Sequence, residues 1–392
     1  MKFHFDEEEQ EIIDMLHDYA VKEVAPRAAE IDEEERFPIE ARNGLAEMGM
    51  MGIPYPEEYG GAGQSYMTYV ACCEELAKHC ATTSVVLSAH TSLCSWPIFQ
   101  YGTEEQKQKY LVPLASGEKL GAFALTEPGA GTDASMQKST AVLDGDEYII
   151  NGSKVFITNA TYADVFIIFA KTDTEAPGTK GISAFIIEKG TPGFTISGHE
   201  KKMGIRGSST CSLFFDDCRI PKENLLGPAG KGFMIAMTTL DGGRIGIAAQ
   251  AVGVAQGAID AGMAYVKERI QFGKPIWKFQ NTQFQYADMQ ASVDAARLLL
   301  YRAAQAKQDG EPYSHLAAMA KLFAANTASD VTRRVVQLAG GNGFSRDYPF
   351  ERMMRDAKIT EIYEGTSEVQ RMVISGWMGA NRSEERRVGK EC

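Results

Sequence analysis

Apolar side chains recur every three to four residues through most of the first 119 positions, the spacing of one buried helix face. This pattern predicts helices at 6–31, 39–50, 66–78, 82–101 and 103–116. The last of these stretches begins with Thr103 and carries Gln106 three positions later, the arrangement of a capping box. Prolines and glycines in 54–63 interrupt the pattern and predict a loop.

The period changes near Leu120. From there, short segments rich in β-branched and aromatic residues predict strands at 120–126, 139–143, 148–150, 155–158, 165–171, 182–188 and 212–215. Asp144-Gly145-Asp146 predicts a tight turn between two of them, and the lack of intervening helices favours an antiparallel sheet. Helical spacing returns from Met234 onward, in long stretches near 244–269, 279–309 and 314–339.

This order of elements predicts an α+β fold in three parts. We expect an N-terminal helical domain at 1–119, a middle antiparallel β domain at 120–228 and a C-terminal helical domain at 229–380. The length of 392 residues agrees, because single hydrophobic cores rarely grow that large. The charged segment 381–392 has no apolar period and predicts a disordered tail.

Charge and composition exclude several classes of protein. With 40 Lys and Arg against 52 Asp and Glu, the net charge of −12 argues against nucleic-acid binding and against an anionic membrane surface. The seven cysteines contain no CxxC pair and the six histidines show no metal-ligand spacing, so we predict no disulfide framework and no metal site. We find no targeting peptide and no uninterrupted apolar run of about 18 residues, and expect a cytoplasmic protein.

Common catalytic motifs are missing from the sequence. It has no GxGxxG after a strand, no GxxxxGK[ST], no GxSxG and no HExxH. Their absence argues against a Rossmann dehydrogenase, a P-loop kinase, an α/β-hydrolase and a zinc hydrolase.

Four polar or glycine-rich segments remain, and each is ambiguous alone. The glycines of 123–133 could let backbone amides approach a ligand or could form a plain loop. Arg269 could neutralise a phosphate or cap a helix, and 337–343 holds more glycine than one helix end needs. By its local sequence, Glu364 is only a carboxylate near a turn.

Taken together and in order, six segments resemble the acyl-CoA dehydrogenase family over roughly residues 5–378. They are 123–135 (FALTEPGAGTDAS), 156–159 (FITN), 240–247 (LDGGRIGI), 269–273 (RIQFG), 337–341 (QLAGG) and 355–368 (RDAKITEIYEGTSE). The resemblance implies an all-α domain, a β domain and a C-terminal four-helix bundle. It also implies removal of an α-proton and a β-hydride from an acyl-CoA, with FAD as cofactor and electrons leaving through electron-transferring flavoprotein.

The same resemblance assigns residues to roles. Glu364 would be the catalytic base, and a homotetramer would share its sites between subunits. The residues implied to contact FAD are Phe123, Ala124, Leu125, Thr126, Thr132, Phe156 (often tryptophan in relatives), Ile157, Thr158, Arg269, Gln280, Gln337, Leu338, Ala339, Gly340, Gly341, Thr366, Ser367 and Glu368. Those implied to contact the substrate are Thr132, Asp241, Gly242, Gly243, Arg244 and Gly365.

Gly243 narrows the choice within the family. In the isovaleryl and long-chain branches, the catalytic base lies immediately before the arginine of the segment 240–247. In this sequence that position is Gly243, which has no side chain and cannot act as a base. The segments are most similar to short-chain and bacterial butyryl-CoA dehydrogenases. Four alternatives stay open. The reaction could run in the reverse direction, as in an enoyl-CoA reductase, or the protein could be an acyl-CoA oxidase. It could also be a DNA-binding alkylation-response relative or a helical protein without cofactor.

Overall fold

The computed structural model describes residues 5–388, and its N-terminal part is helical. The helices are α1 (Glu7–Tyr19), α2 (Ala28–Glu33), α3 (Ile39–Glu47), α4 (Tyr66–His79), α5 (Ala81–Ser88), α6 (Trp96–Tyr101), α7 (Glu104–Gln106) and α8 (Val112–Ala115). π-Helical segments Ala20–Val24, Ala89–Ser95 and Lys107–Leu111 continue α1, α5 and α7. The predicted capping box of Thr103 and Gln106 is confirmed.

The middle of the chain forms one eight-stranded sheet. Its strands are β1 (Gly121–Ala124), β2 (Thr140–Asp144), β3 (Glu147–Thr158), β4 (Val165–Lys171), β5 (Ile182–Glu188), β6 (Phe194–His199), β7 (Thr210–Pro221) and β8 (Leu225–Leu226). The order is β6-β7-β3-β2-β4-β5-β8, with β1 beside β4. The sheet is mostly antiparallel, but β4 pairs in parallel with β1 and, at one residue, with β2. The long connection from β1 to β4 permits the crossover that parallel pairing needs.

Strand β3 is longer than the sequence predicts, because it runs through the polar residues 151–154. The ladder between β3 and β7 shifts register there, and Gly152 has a φ of 147°. A Cβ at Gly152 would overlap the side chain of Ser139, so glycine lets two strands approach closely. Strand β6 was not predicted at all.

The C-terminal part is helical again. It contains α9 (Gly232–Glu268), α10 (Gln280–Gln308), α11 (Ser314–Ala339), α12 (Gly341–Phe344), α13 (Phe350–Ile359) and α14 (Ser367–Val388), with a small hairpin of β9 (Ile270–Gln271) and β10 (Lys274–Pro275) after α9. Helix α11 packs against α9, α10, α13 and α14. The predicted disorder at 381–392 is not seen in 381–388, which continue α14, and 389–392 lie outside the described residues.

Two buried clusters position the candidate site. One joins α4 to α9, α10 and α11, and the other lies between the sheet, α6, α8 and the start of α9. The order of helices and strands along the chain confirms the prediction of a helical part, a sheet and a second helical part. Within residues 5–388 no helix is long and apolar enough to cross a membrane.

Candidate active site

Glu364 lies in the turn that joins α13 to α14. Its φ is 51° and that of Gly365 is 90°, so both residues adopt left-handed backbone. For a glutamate this conformation costs about 1–3 kcal/mol, which the surroundings must offset. Lys321 Nζ donates a hydrogen bond to the Gly365 carbonyl at 2.8 Å, and Gln370 Nε2 donates to the same oxygen at 2.7 Å. These bonds hold the turn so that the Glu364 carboxyl group points toward α9.

One oxygen of the Glu364 carboxyl group is enclosed by protein, although the residue as a whole is half-buried. Its Oε2 is buried and has no hydrogen-bond partner among the described residues. Burial raises the pKa of Glu364 to about 7, while the positive charges of Lys321 and Arg244 act in the opposite direction. Burial also lowers the pKa of Lys321 to about 8, against the attraction of Glu364. A carboxyl group with such a pKa can accept and release a proton near neutrality.

Gly243 on α9 lies directly beside this carboxyl group. A Cβ built on Gly243 would stand 3.0 Å from Cδ of Glu364, closer still to Oε2, and 2.7 Å from Cδ2 of Leu93. Any side chain at this position would therefore displace the carboxyl group. Glycine inside a helix is about 0.8–1.0 kcal/mol less favourable than alanine. It stands at this position because the packing against Glu364 and Leu93 leaves no room for a side chain.

The rest of the 241–244 segment is held by polar contacts. Arg244 is 4% exposed and forms an ion pair with Asp241, one turn back on α9. Its Nε is buried without a hydrogen-bond partner among the described residues. Tyr66 donates its hydroxyl to the Gly242 carbonyl at 3.1 Å, and Lys307 Nζ lies 4.1 Å from the centre of the Tyr66 ring. Charged and aromatic groups thus line the side of α9 that adjoins Glu364.

The predicted cofactor segments of the sheet are brought together. Strand β1 ends next to β3, and Val155 N donates to the Thr126 carbonyl at 2.9 Å. Phe156 has a φ of 59° and is 64% exposed, so its ring projects from the sheet. Ala124, Leu125 and Ile157 are buried, and only their backbone could meet a ligand. Phe123, Thr126 and Thr158 are half-buried, whereas Thr132 is exposed on the following loop.

A buried ion pair organises that loop. Lys154, which is fully buried, donates to Glu127 Oε1 at 2.8 Å and to Gln137 Oε1 at 3.2 Å. Glu127 also accepts from the backbone N–H of Ser139 at 3.1 Å. These contacts join both ends of the 127–139 loop to β3 and fix how Thr132 is presented.

The remaining predicted cofactor residues lie at the far end of the helices. Arg269 and Gln280 are exposed beside the hairpin of β9 and β10, and Gln337, Gly340 and Gly341 are exposed where α11 ends. Leu338 is half-buried and Ala339 is buried. Because α9 rises about 1.5 Å per residue, Gly243 and the end of α9 are about 38 Å apart. One chain therefore does not bring Arg269 to Glu364.

The residues after Glu364 vary in exposure. Thr366 is half-buried, Ser367 is buried with its Oγ unpaired among the described residues, and Glu368 is exposed. Ser367 therefore adds a second unpaired polar atom to the turn that carries Glu364.

Sequence reasoning missed Lys321, Tyr66, Leu93 and the pair of Lys154 with Glu127. A signal for Lys321 was present, because it shares the apolar stripe of Ala317, Ala324 and Ala328 on α11. A lysine on such a stripe predicts a buried cation with a partner. Tyr66 and Leu93 gave no such signal, because nothing in the local pattern links them to α9.

Most of the chain matches three domain models of one protein family. Residues 6–118 match "Acyl-CoA dehydrogenase, N-terminal domain", 122–218 match the middle domain and 230–379 match the C-terminal domain. A short-chain-specific acyl-CoA dehydrogenase of Clostridium acetobutylicum is 60% identical over 376 residues, which are 96% of this chain and 99% of that one.

Solved structures agree with this match. Butyryl-CoA dehydrogenase from Megasphaera elsdenii is 50% identical with a TM-score of 0.95, covering 96% of this chain and all of that one (100%). A chain in a structure described as the electron transferring flavoprotein of Acidaminococcus fermentans is 54% identical, also with a TM-score of 0.95, covering 96% and 99%. The chain belongs to the acyl-CoA dehydrogenase family.

Proposed function

We propose that this enzyme oxidises a short-chain, butyryl-CoA-like thioester to the trans-2-enoyl-CoA, with Glu364 as the catalytic base. The observation that carries the proposal is the Glu364 carboxyl group beside Gly243, whose Oε2 is buried and has no hydrogen-bond partner in the described part of the chain. A thioester α-proton is too weakly acidic for an ordinary carboxylate. A base with its pKa raised to about 7 by burial is better matched to that proton.

In this mechanism the residues of the chain position the substrate and move one proton. Asp241, Gly242, Arg244, Gly365 and Thr132 contact the CoA thioester, and Glu364 removes the α-proton. The enolate-like oxygen that forms needs a hydrogen-bond donor, a role we assign to the backbone N–H of Glu364. Lys321 keeps that backbone in place through the Gly365 carbonyl, and Gly243 leaves room for the carboxyl group.

The residues present fit FAD. Phe156 offers an exposed aromatic face beside the half-buried Thr126 and Thr158, and Ser367 Oγ is a buried unpaired polar atom. We place the flavin against 123–126, Thr132, 156–158 and 366–368. FAD held there would supply the acceptor for the β-hydride, with electron-transferring flavoprotein as the partner that takes up the electrons. The close relatives described above support this activity and this partner.

We further propose a homotetramer in which each site takes part of its FAD contacts from a neighbouring subunit. Arg269, Gln280 and 337–341 would hold the FAD diphosphate and adenine of that neighbour. The separation of about 38 Å between Gly243 and the end of α9 supports this arrangement, since one chain cannot bring both groups together. Phe272, which is 94% exposed in the single chain, lies beside Arg269 and would be covered in the assembly.

Anaerobic titration of the purified enzyme with C3 to C8 acyl-CoAs tests the proposed substrate. We expect flavin bleaching to be greatest with the C4 thioester, as the 60% identity to a short-chain-specific relative supports. A maximum at C8 would overturn the short-chain assignment. Absence of bleaching with every thioester would overturn the dehydrogenase mechanism itself.

The reverse direction is a second candidate. The 54% identical chain comes from a structure described in terms of flavin-based electron bifurcation, which favours a role as enoyl-CoA reductase. Steady-state rates of butyryl-CoA oxidation and crotonyl-CoA reduction, measured with the same electron-transferring flavoprotein, distinguish the two directions.

The domain boundaries at 119/120 and 228/229 and the cytoplasmic location remain predictions of the sequence.

A further inference from the structure

Two histidines and a glutamate meet where α1 packs against α4. His17 Nδ1 lies 2.7 Å from Glu75 Oε1, and His79 Nε2 lies 3.6 Å from the same oxygen. The ligand atoms of all three side chains lie within 4.8 Å of one another. We call these residues the His17–Glu75–His79 cluster. The spacing of histidines in the sequence predicted no metal site, because 58 positions separate His17 from Glu75.

The hydrogen bonds of the cluster leave one nitrogen unused. His79 Nε2 is buried and has no hydrogen-bond partner among the described residues, although it points toward Glu75 Oε1. Lys78 Nζ occupies the other oxygen, Oε2, at 2.5 Å. One carboxylate oxygen is therefore left to face both imidazoles. A buried polar atom without a partner is uncommon in native proteins and indicates an absent ligand or water.

The cluster has one buried side and one open side. The side chain of Glu75 is 8% exposed, whereas that of His17 is 53% exposed. The carboxyl group of Glu75 is therefore shielded by protein, and the His17 side of the cluster is open to water.

We propose that the His17–Glu75–His79 cluster binds one divalent transition-metal ion, of which Zn²⁺ is the best matched. Two imidazole nitrogens and one carboxylate oxygen form a donor set typical of zinc, with water at the fourth position on the open side. Mg²⁺ and Ca²⁺ prefer sites made only of oxygen and are disfavoured. Donor atoms around a tetrahedral ion lie roughly 3–3.5 Å apart, so shifts of about 1 Å complete the site.

The bound ion would join α1 to α4. It would add a cross-link between the start of the chain and the helix that packs on α9, and so raise the stability of the N-terminal part. Glu75 is nine residues from Tyr66 on α4, on the order of 13 Å along the helix, so the ion is remote from the Gly242 contact. The ion therefore has a structural role, and its binding can be tested apart from turnover.

Calorimetric titration with Zn²⁺ of FAD-loaded enzyme stripped with EDTA tests the site. We expect one ion per chain and a higher thermal unfolding midpoint with Zn²⁺ than with Mg²⁺. His17→Ala and His79→Ala should each weaken Zn²⁺ binding at least about tenfold, the scale of losing one strong contact. His199→Ala, a histidine outside the cluster, is the matched control and should bind like wild type.

The metal-free unfolding midpoint shows whether each variant folds. His17 is more than half exposed, so His17→Ala should keep the midpoint measured in EDTA and remain interpretable even if His79→Ala unfolds. If wild type binds no Zn²⁺, or if His17→Ala binds it as tightly as wild type, the proposed site is wrong. Neither result bears on acyl-CoA oxidation, because the measurements require no substrate.

Discussion

Gly243 and the carboxyl group of Glu364 adjoin so closely that the space beside α9 can hold only one of two side chains. A Cβ on Gly243 would lie 3.0 Å from Cδ of Glu364 and nearer to Oε2. A carboxylate reaching out from position 243 would therefore enter the volume that Glu364 fills from the turn before α14. The resemblance to the family implied a base either at position 364 or immediately before Arg244, and we infer that these two positions are two approaches to one space beside α9.

This overlap predicts that the base can be moved. Glu364→Gly should lower kcat by about two to four decades, the usual contribution of general base catalysis. Adding Gly243→Glu to that variant should raise kcat at least about tenfold, a part of that contribution, because the new carboxylate reaches the same space. The measurement is the steady-state rate of butyryl-CoA oxidation with electron-transferring flavoprotein as acceptor.

The matched control for relocation adds Gly376→Glu to Glu364→Gly. Gly376 lies on α14 with no atom within 4 Å of its Cβ direction, so the extra carboxylate is tolerated but remote. If both double variants turn over equally slowly, the shared space of Gly243 and Glu364 has no catalytic meaning.

Glu364→Gln isolates the proton transfer from the binding of cofactor. The amide keeps the size of the carboxyl group but cannot act as a base, so we expect FAD retention unchanged and a rate loss of roughly two to four or more decades. Flavin absorbance per chain and kcat measure the two effects. The control is Glu361→Gln, which removes a carboxylate of the same turn. The Glu361 carboxylate pairs with Lys358, so this variant should remain active. Near-normal turnover of Glu364→Gln would exclude Glu364 as the base.

Lys321→Met should move the pH dependence of the enzyme. Lys321 lowers the pKa of Glu364, which burial raises to about 7, so removing the cation raises that pKa further. Since the base must be ionised in the free enzyme, the acid limb of kcat/KM should shift to higher pH. Lys358→Met, which removes an exposed cation paired with Glu361, serves as control and should leave the limb in place. A shift to lower pH in Lys321→Met would contradict the electrostatic role.

Much of the fold was predictable because its helices and strands follow simple apolar periods. Helix α11 begins and ends at the predicted residues, Ser314 and Ala339. Helical structure was predicted from Met234 onward and α9 begins at Gly232, but the long stretch was placed only near 244–269, because 242–246 has poor helix propensity and is helical through packing. The pairing of β1 with β4 was missed because strand order depends on contacts distant in sequence.

The candidate site was predictable only in part. Glu364 and Gly243 came from ordered motifs, but their contact depends on a left-handed turn at Glu364 that local propensity disfavours. Lys321 holds that turn from a helix 43 positions earlier, and its bond to Gly365 cannot be inferred from spacing. Local pattern identifies which residues are unusual, whereas the fold determines which of them meet.

Arg269→Ala should weaken FAD retention and the oligomer together. In one chain Arg269 lies about 38 Å along α9 from Gly243, so any contact it makes with FAD must be with the cofactor of a neighbouring subunit. Loss of an arginine that pairs with phosphate typically costs about 1.5–3 kcal/mol, equivalent to roughly a 10- to 150-fold weaker FAD affinity. FAD release on dilution and mass from light scattering measure the two effects.

Lys267→Ala provides the control for this prediction, because Lys267 is an exposed cation two positions earlier on the last turn of α9. The Lys267→Ala variant loses the same positive charge at a position that the family motif does not assign to FAD. It should therefore retain FAD and keep the oligomeric mass of the wild type. If Arg269→Ala holds FAD as tightly as wild type while Lys267→Ala behaves normally, Arg269 does not reach a neighbouring FAD. The far ends of α9 and α11 would then require another explanation for their exposed glycines and for Phe272.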